Sequence, residues 1–271
     1  MSILQGILLG LVQGVTEFLP ISSSGHLVLA EHLLGLPPSN DITFEVVVHL
    51  GTLMSVVVAF WPDITGLVGA LVRAMSHVPR WGHLYREDAY LRLGVLIVIA
   101  SVPAAIIGIL FEDAVGEAFA DPKLVAVMLI VTGLILFLTR LTRPVQGKEV
   151  RMGTAILIGF AQAFAILPGI SRSGSTISTG MYTSIPPFEA ARFSFLLSVP
   201  VIAGAAALKM IELLHHGIAV EGLEPMIAGL VMSFLSGYVA IKVLLRIIGK
   251  GKFSLFSFYC LVIGILGVLF I

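Results

Sequence analysis

Long apolar runs, interrupted at a few polar points, dominate this chain. Residues 44–61, 92–111, 123–139, 189–210, 226–247 and 253–271 each approach the roughly 20 residues that a helix needs to cross a bilayer. Pro103 should kink the second of these. Two more apolar segments break midway, 1–34 at Pro20 and 152–184 at Pro168-Gly169. Irregular backbone at membrane depth survives only where it is buried in protein or lines a watery cavity. Each broken segment therefore reads as a helix that enters the membrane, breaks and turns back. The expected fold is an all-α integral membrane protein, with six transmembrane helices and two re-entrant helix-loop-helix dips.

The two dips resemble each other. GLVQGVTEFLPISSSG, from Gly10, aligns with GFAQAFAILPGISRSG, from Gly159, at an offset of 149 residues. Gln13 falls on Gln162, Ser22 on Ser171 and Ser24 on Ser173, while Phe44 falls on Phe193 further on. A repeat spanning half the chain is architectural. It divides one membrane domain, 1–271, into a first repeat at 1–148 and a second at 149–271. A dip returns to its own side and three spans do not, so the second repeat should be inverted. The copies differ at their polar positions. Glu17 faces Ile166, Ser23 faces Arg172 and His26 faces Ser175.

Composition agrees. Of the 271 residues, 58% are hydrophobic and 12% charged, against about 25% charged in soluble domains. The formal net charge is zero, which argues against nucleic acid as a partner. Cys260 is the single cysteine, so no intramolecular disulfide forms. Segment 1–34 has no basic leading region and no clear cleavage site, and reads as mature sequence. Along the expected path Arg73, Arg80, Arg86, Arg143, Lys148, Arg151, Lys250 and Lys252 share one side, which the positive-inside rule makes cytoplasmic. Both termini and the mouth of the first dip then lie outside.

The polar residues of the dips are the candidate chemistry. Gln13 and Glu17, four apart, share a helix face. Mg²⁺ takes one or two carboxylates plus substrate phosphates, so this pair could hold a divalent cation, Mg²⁺ or Ca²⁺. The plain alternative is a hydrogen-bonded pair that joins helices. Ser22, Ser23, Ser24 and Gly25 precede an apolar helix whose N-terminus suits phosphate, although a serine cap is common at any helix start. His26 adds a proton donor or acceptor. Arg172 needs an anion, either a structural carboxylate or a phosphate held by its planar fork. Ser171, Ser173, Gly174, Ser175 and Thr176 surround it in sequence. Glu45 and His49, again four apart, rank second. His77, His83 and the pair His215-His216 read as solvated loop residues.

QGVTEFLPISSSGH and PGISRSGSTIS resemble the two signature motifs of the bacterial undecaprenyl-diphosphate phosphatases of the bacitracin-resistance (BacA/UppP) family. The stretches beginning at Phe44 and Phe193 extend the resemblance over most of the chain. It implies hydrolysis of undecaprenyl diphosphate to the monophosphate and inorganic phosphate, assisted by a divalent cation. That reaction recycles the lipid carrier for cell-wall synthesis at the outer face of the bacterial inner membrane and confers bacitracin resistance. The resemblance also implies that Glu17, Ser23, His26 and Arg172 are active-site residues, with Gln13 in the first metal slot. The partner is a polyprenyl diphosphate lipid; a homodimer is left open.

Two rivals remain at this level. Inverted repeats with broken helices also suit a lipid-phosphate flippase or secondary transporter. Ser23-Ser24-Gly25-His26 and Ser171-Arg172 echo motifs of the acid-phosphatase-like lipid phosphatases, but the histidine and aspartate expected soon after the Ser-Arg pair are missing. Whether Ser23 attacks covalently or positions water is open, as is whether His26 serves as base or acid.

Overall fold

A computed structural model describes residues 1–33, 42–76, 81–216 and 223–270, which are almost wholly helical. The helices are α1 (Ile3–Phe18), α2 (Ser23–Leu33), α3 (Ile42–Ala59), α4 (Trp61–Ser76), α5 (Trp81–Glu87), α6 (Ala89–Leu110) and α7 (Glu112–Phe119). They continue with α8 (Pro122–Leu138), α9 (Met152–Phe164), α10 (Arg172–Tyr182), α11 (Pro187–His216), α12 (Leu223–Gly249) and α13 (Phe256–Phe270). Five of the described helices are long and apolar enough to cross a membrane, and a sixth span results if α3 and α4 are joined across their bend.

The sequence rules act locally as expected at the two breaks. Ser2 opens α1 with a capping box, its hydroxyl accepting from Gln5 N–H while the Gln5 side chain accepts from Ser2 N–H. α1 ends at Phe18, just ahead of Pro20, which has no N–H to continue the ladder. Ser22 then takes a left-handed φ of 69°, a conformation that costs a residue with a Cβ and persists where its surroundings fix it. The fixing contact is its hydroxyl, which accepts from Gly25 N–H at 3.3 Å at the start of α2. Ser171, at the matching position, accepts from Gly174 N–H at 3.0 Å to cap α10.

Two expectations need correction. Residues 63–90, too polar to span as a whole and read in the sequence as a loop, carry two helices. α4 turns 86° away from α3 and α5 follows it. α4 carries Asp63 in its first turn and Arg73 in its last, on either side of a mostly apolar middle. That pattern suits an amphipathic helix lying at an angle to the spans, so the charges there signalled its ends and not a loop. Residues 112–119, a short acidic stretch between two spans, form α7. His215 and His216 end the long helix α11 instead of lying in a loop; their side chains, and His77 altogether, are outside the described residues. His83 stands on α5, exposed and 3.2 Å from Glu87.

Packing exchanges the two halves. α1 packs on α12, and its counterpart α9 packs on α6. Gly10 of α1 has no room for a Cβ, which would fall 2.8 Å from Gly229 Cα; at Gly159, its repeat mate, a Cβ would fall 3.1 Å from Ala100 Cα. At the breaks the exchange recurs. A Cβ on Gly25 would lie 3.4 Å from Gly169 Cα, and one on Gly174 would lie 3.4 Å from the Cβ of Pro20. Pro20 and Gly169 are themselves repeat mates, so the breaks meet face to face. Small residues allow such close approach where bilayer lipid offers no hydrophobic drive for helix pairing. Gly10→Leu should therefore cost roughly 1–3 kcal/mol by overpacking, read as a lower unfolding midpoint of the purified protein, whereas Gly153→Leu, at a position with open space, should leave it unchanged.

The main core joins the breaks to the spans. Phe18 of α1 meets Phe195 of α11 edge-on at 5.6 Å, and Phe60, at the α3–α4 bend, meets the same ring at 5.6 Å. Ile106, Ile109, Leu134, Val262 and Phe270 stay exposed on the outer faces of α6, α8 and α13, as expected where lipid is the solvent.

Candidate active site

Glu17 ends α1 on the buried side and is the hub of the site. Its Oε1 accepts from Arg172 Nη2 at 2.5 Å. Its Oε2 accepts from Ser23 Oγ at 2.7 Å and from Gln13 Nε2 at 3.0 Å. His49 of α3 brings Nε2 to 3.7 Å from the same oxygen. One carboxylate thus ties together the first turn of α2, the first turn of α10 and a neighbouring span. The pairing joins the repeats, because Glu17 and Arg172 are 155 residues apart. A buried carboxylate needs such a partner, since an unpaired charge in a low-dielectric interior is strongly penalised.

The second break is held from outside. Thr132 of α8 donates its hydroxyl to Gly169 O at 2.9 Å and accepts from Ser171 N–H at 3.0 Å. Gly169 itself takes a φ of 89°, which glycine adopts without the Cβ penalty. Ser173 Oγ reaches across to Leu19 O at 3.2 Å, and its hydroxyl also meets Ser171 Oγ at 3.2 Å. Thr176 Oγ1 meets Ser194 Oγ at 2.6 Å. Ser22 and Ser24 hydroxyls lie 3.3 Å apart. These groups fix both turns, so that the N-termini of α2 and α10 converge.

Sequence reasoning left His26 open as base or acid, and in the structure its ring contacts groups other than the Ser23 hydroxyl. His26 Nδ1 meets Ser22 O at 2.8 Å, one turn back, and Nε2 meets the Tyr259 hydroxyl of α13 at 2.8 Å. The two rings stack at 5.6 Å. The group in contact with the Ser23 hydroxyl is Glu17. His49 moves the other way, from the second rank to the carboxylate itself. Glu45 lies in α3, with its side chain outside the described residues.

A cavity of about 390 Å³ opens on this centre. Glu17, Ser23, Ser24, Ser171 and Arg172 form its polar part, and Val46, Val115, Phe119, Ile166, Val201 and Ile202 its apolar walls. Beside it several buried polar atoms have no hydrogen-bond partner among the described residues, including Arg172 Nη1, Gln13 Oε1 and Ser175 Oγ. Such groups are costly to leave unpaired. The Arg172 nitrogen is a donor in want of an acceptor, and the Gln13 oxygen is an acceptor in want of a donor or cation.

Fold and site together define a multi-pass α-helical membrane protein with a buried hydroxyl–carboxylate–guanidinium centre, built to handle an anion with an apolar tail. The chain matches the family described as bacitracin resistance protein BacA over residues 6–266. An undecaprenyl-diphosphatase of Salinibacter ruber is 42% identical to it over 268 residues, covering 97% of each chain. One from Desulforapulum autotrophicum is 40% identical over 275 residues, covering 99% of this chain and 98% of its own. One from Korarchaeum cryptofilum is 40% identical, covering 98% of both. The chain belongs to the BacA family.

Proposed function

We propose that this membrane enzyme hydrolyses undecaprenyl diphosphate to undecaprenyl phosphate and inorganic phosphate, returning the lipid carrier to cell-wall synthesis. The observation that carries the reading is Ser23 Oγ donating to Glu17 while Arg172, from the other repeat, grips the same carboxylate at the edge of one half-apolar cavity. The names of its relatives point to the same substrate. The terminal phosphate sits between the N-termini of α2 and α10, where free N–H groups favour anions, and the prenyl chain follows the apolar wall.

Glu17 takes the Ser23 proton as Ser23 Oγ attacks phosphorus. The anhydride P–O bond breaks, and the lipid monophosphate leaves with its electron pair. Water then hydrolyses the phosphoserine, releasing inorganic phosphate. A serine hydroxyl attacks only with an adjacent base, and Glu17 is the base in contact with it. Arg172 neutralises charge that spreads over the equatorial oxygens. His26 anchors α2 to α13 through Tyr259.

Among the described residues no group of three His, Cys, Asp or Glu stands together as a resident metal site would need. Glu17 and the unpartnered Gln13 Oε1 do fit an ion shared with the substrate's own phosphates. A divalent cation, Mg²⁺ or Ca²⁺, held there would offset the diphosphate charge.

The exchanged packing of α1 with α12 and α9 with α6, and the meeting of the breaks, support two inverted repeats with re-entrant dips. The positive-inside rule then puts the end of the bundle that carries Arg86 and Arg151 in the cytoplasm. The Glu17 cavity, walled by α7, opens at the other end, so the reaction takes place on the outer side of a bacterial inner membrane, with both termini outside.

The test is phosphate release from undecaprenyl diphosphate by the purified protein, paired with acid quench to trap phosphoserine. Wild type should release phosphate and form the adduct. Ser23→Ala should do neither while melting as wild type does. Movement of the intact lipid diphosphate across vesicles without phosphate release would instead favour a flippase. Release that persists at near wild-type rate in Ser23→Ala would make water the nucleophile.

A further inference from the structure

A second cavity, of about 720 Å³, lies elsewhere in the molecule. Arg86, Arg92, Arg151 and Arg192 line it, with Glu149 and Glu189 as the acidic members. The lining therefore has a formal excess of two positive charges. Tyr85 and Tyr90 add hydroxyl donors and aromatic faces.

Its position follows from the helices that it shares with the first. It takes the start of α6 up to Leu96, the approach to α9 at Val150-Arg151-Met152, and the first turns of α11 up to Phe193. The Glu17 cavity takes α7, which follows α6, the residues just beyond α9, and Val201–Ala206 of α11. The two cavities thus lie at opposite ends of α9, the second at the start of α6 and α11, and the first beyond the end of α6 and midway along α11. From Arg151 to Ala165 the helical rise alone is about 21 Å, too far for one phosphate to touch both.

The arginines differ in their freedom. Arg192 is spoken for, with Nη2 on Asp63 at 2.5 Å and Nη1 on Glu189 at 3.3 Å. That pairing ties α11 to α4 and stiffens the wall. Arg73 likewise engages Asp88, 2.6 Å away, and this hydrogen bond holds the half-buried Asp88 carboxyl below its ordinary range. Among the described residues no carboxylate lies within ion-pair distance of Arg86, Arg92 or Arg151. Arg92 Nη1 donates to Arg86 O at 2.6 Å, which holds the first two together. Three unpaired guanidinium groups from two separate chain segments thus share one concavity. Like charges gathered this way repel unless an anion joins them. The planar fork of arginine suits phosphate oxygens, which it contacts in pairs.

We propose that this second cavity is a binding site for a phosphate dianion, whether as the monoester of a lipid headgroup or as free phosphate, separate from the Glu17 centre. Both products of the proposed hydrolysis carry that group, but the assignment rests on the arginines and holds for any lipid phosphate.

The full-length protein in nanodiscs tests it, with Arg172→Gln in every sample to weaken binding at the first site. One arm uses phosphatidylcholine discs doped with phosphatidic acid, a lipid phosphomonoester, and counts retained lipid by native mass spectrometry. The other uses phosphatidylcholine alone with inorganic phosphate, read by phosphorus-31 line broadening. At least one arm should show a site of one per chain, and Arg86→Gln with Arg151→Gln should weaken it tenfold or more. The arm that responds identifies the source. In a background with Arg172 intact, the same double variant should hydrolyse lipid diphosphate at the wild-type rate, which shows that it folds. No stoichiometric binding in either arm, or binding that the double variant leaves unchanged, overturns the proposal. Neither result bears on phosphate release at Ser23, so the two readings fail separately.

Discussion

Glu17→Gln should lower kcat for phosphate release by about 10³-fold. General-base removal alone is worth roughly 10²–10⁴, and Gln cannot take the Ser23 proton now donated at 2.7 Å. The substitution also strips Arg172 of its counter-charge, leaving a largely buried guanidinium with a neutral amide. Breaking such a pair by removing one partner costs about 3–5 kcal/mol, so the unfolding midpoint should fall as well. The two effects separate on titration with a phosphate analogue. An added anion supplies the charge that Arg172 has lost and should restore the midpoint, but not the rate. Near wild-type kcat in a stably folded Glu17→Gln protein would show that the carboxylate only positions its neighbours.

The same residues show what could and could not be read before the structure. Hydropathy showed the spans because bilayer thickness imposes a length on any apolar helix. The offset of 149 residues exposed the pairing of Ser22 with Ser171, and both cap their helices in the same way. Ser23 against Glu17 was hidden, because the contact bridges a break where helical spacing says nothing about direction. His26 misled for the opposite reason. Its closeness to Ser23 in sequence made it a candidate base or acid, but its ring partner lies 233 residues away on α13. Thr132, which clamps the second break, gave no sign in an otherwise apolar helix. The bend between α3 and α4 was obscured because charges at the ends of an amphipathic helix look, in composition, like those of a loop.

Arg172→Lys should keep the charge yet lose roughly 10² in kcat, the order that follows removal of one transition-state donor. The guanidinium occupies two roles at once. Nη2 holds Glu17 at 2.5 Å, and Nη1 is buried without a partner among the described residues. A phosphate oxygen that accepts from Nη1 leaves the Glu17 pairing intact, so the carboxylate stays oriented toward Ser23 while the substrate is held. Lysine offers a compact ammonium at the end of a flexible stem and cannot reach two acceptors in a fixed fork. It must choose between Glu17 and the phosphate. KM should change little, because the cavity walls and the N-termini of α2 and α10 still bind the ground state, while the loss falls on kcat, where charge builds on the equatorial oxygens. Steady-state kinetics on undecaprenyl diphosphate reads the split directly. A lysine variant with wild-type kcat would reduce Arg172 to a structural counter-ion for Glu17, and a tenfold rise in KM at unchanged kcat would assign it to binding alone.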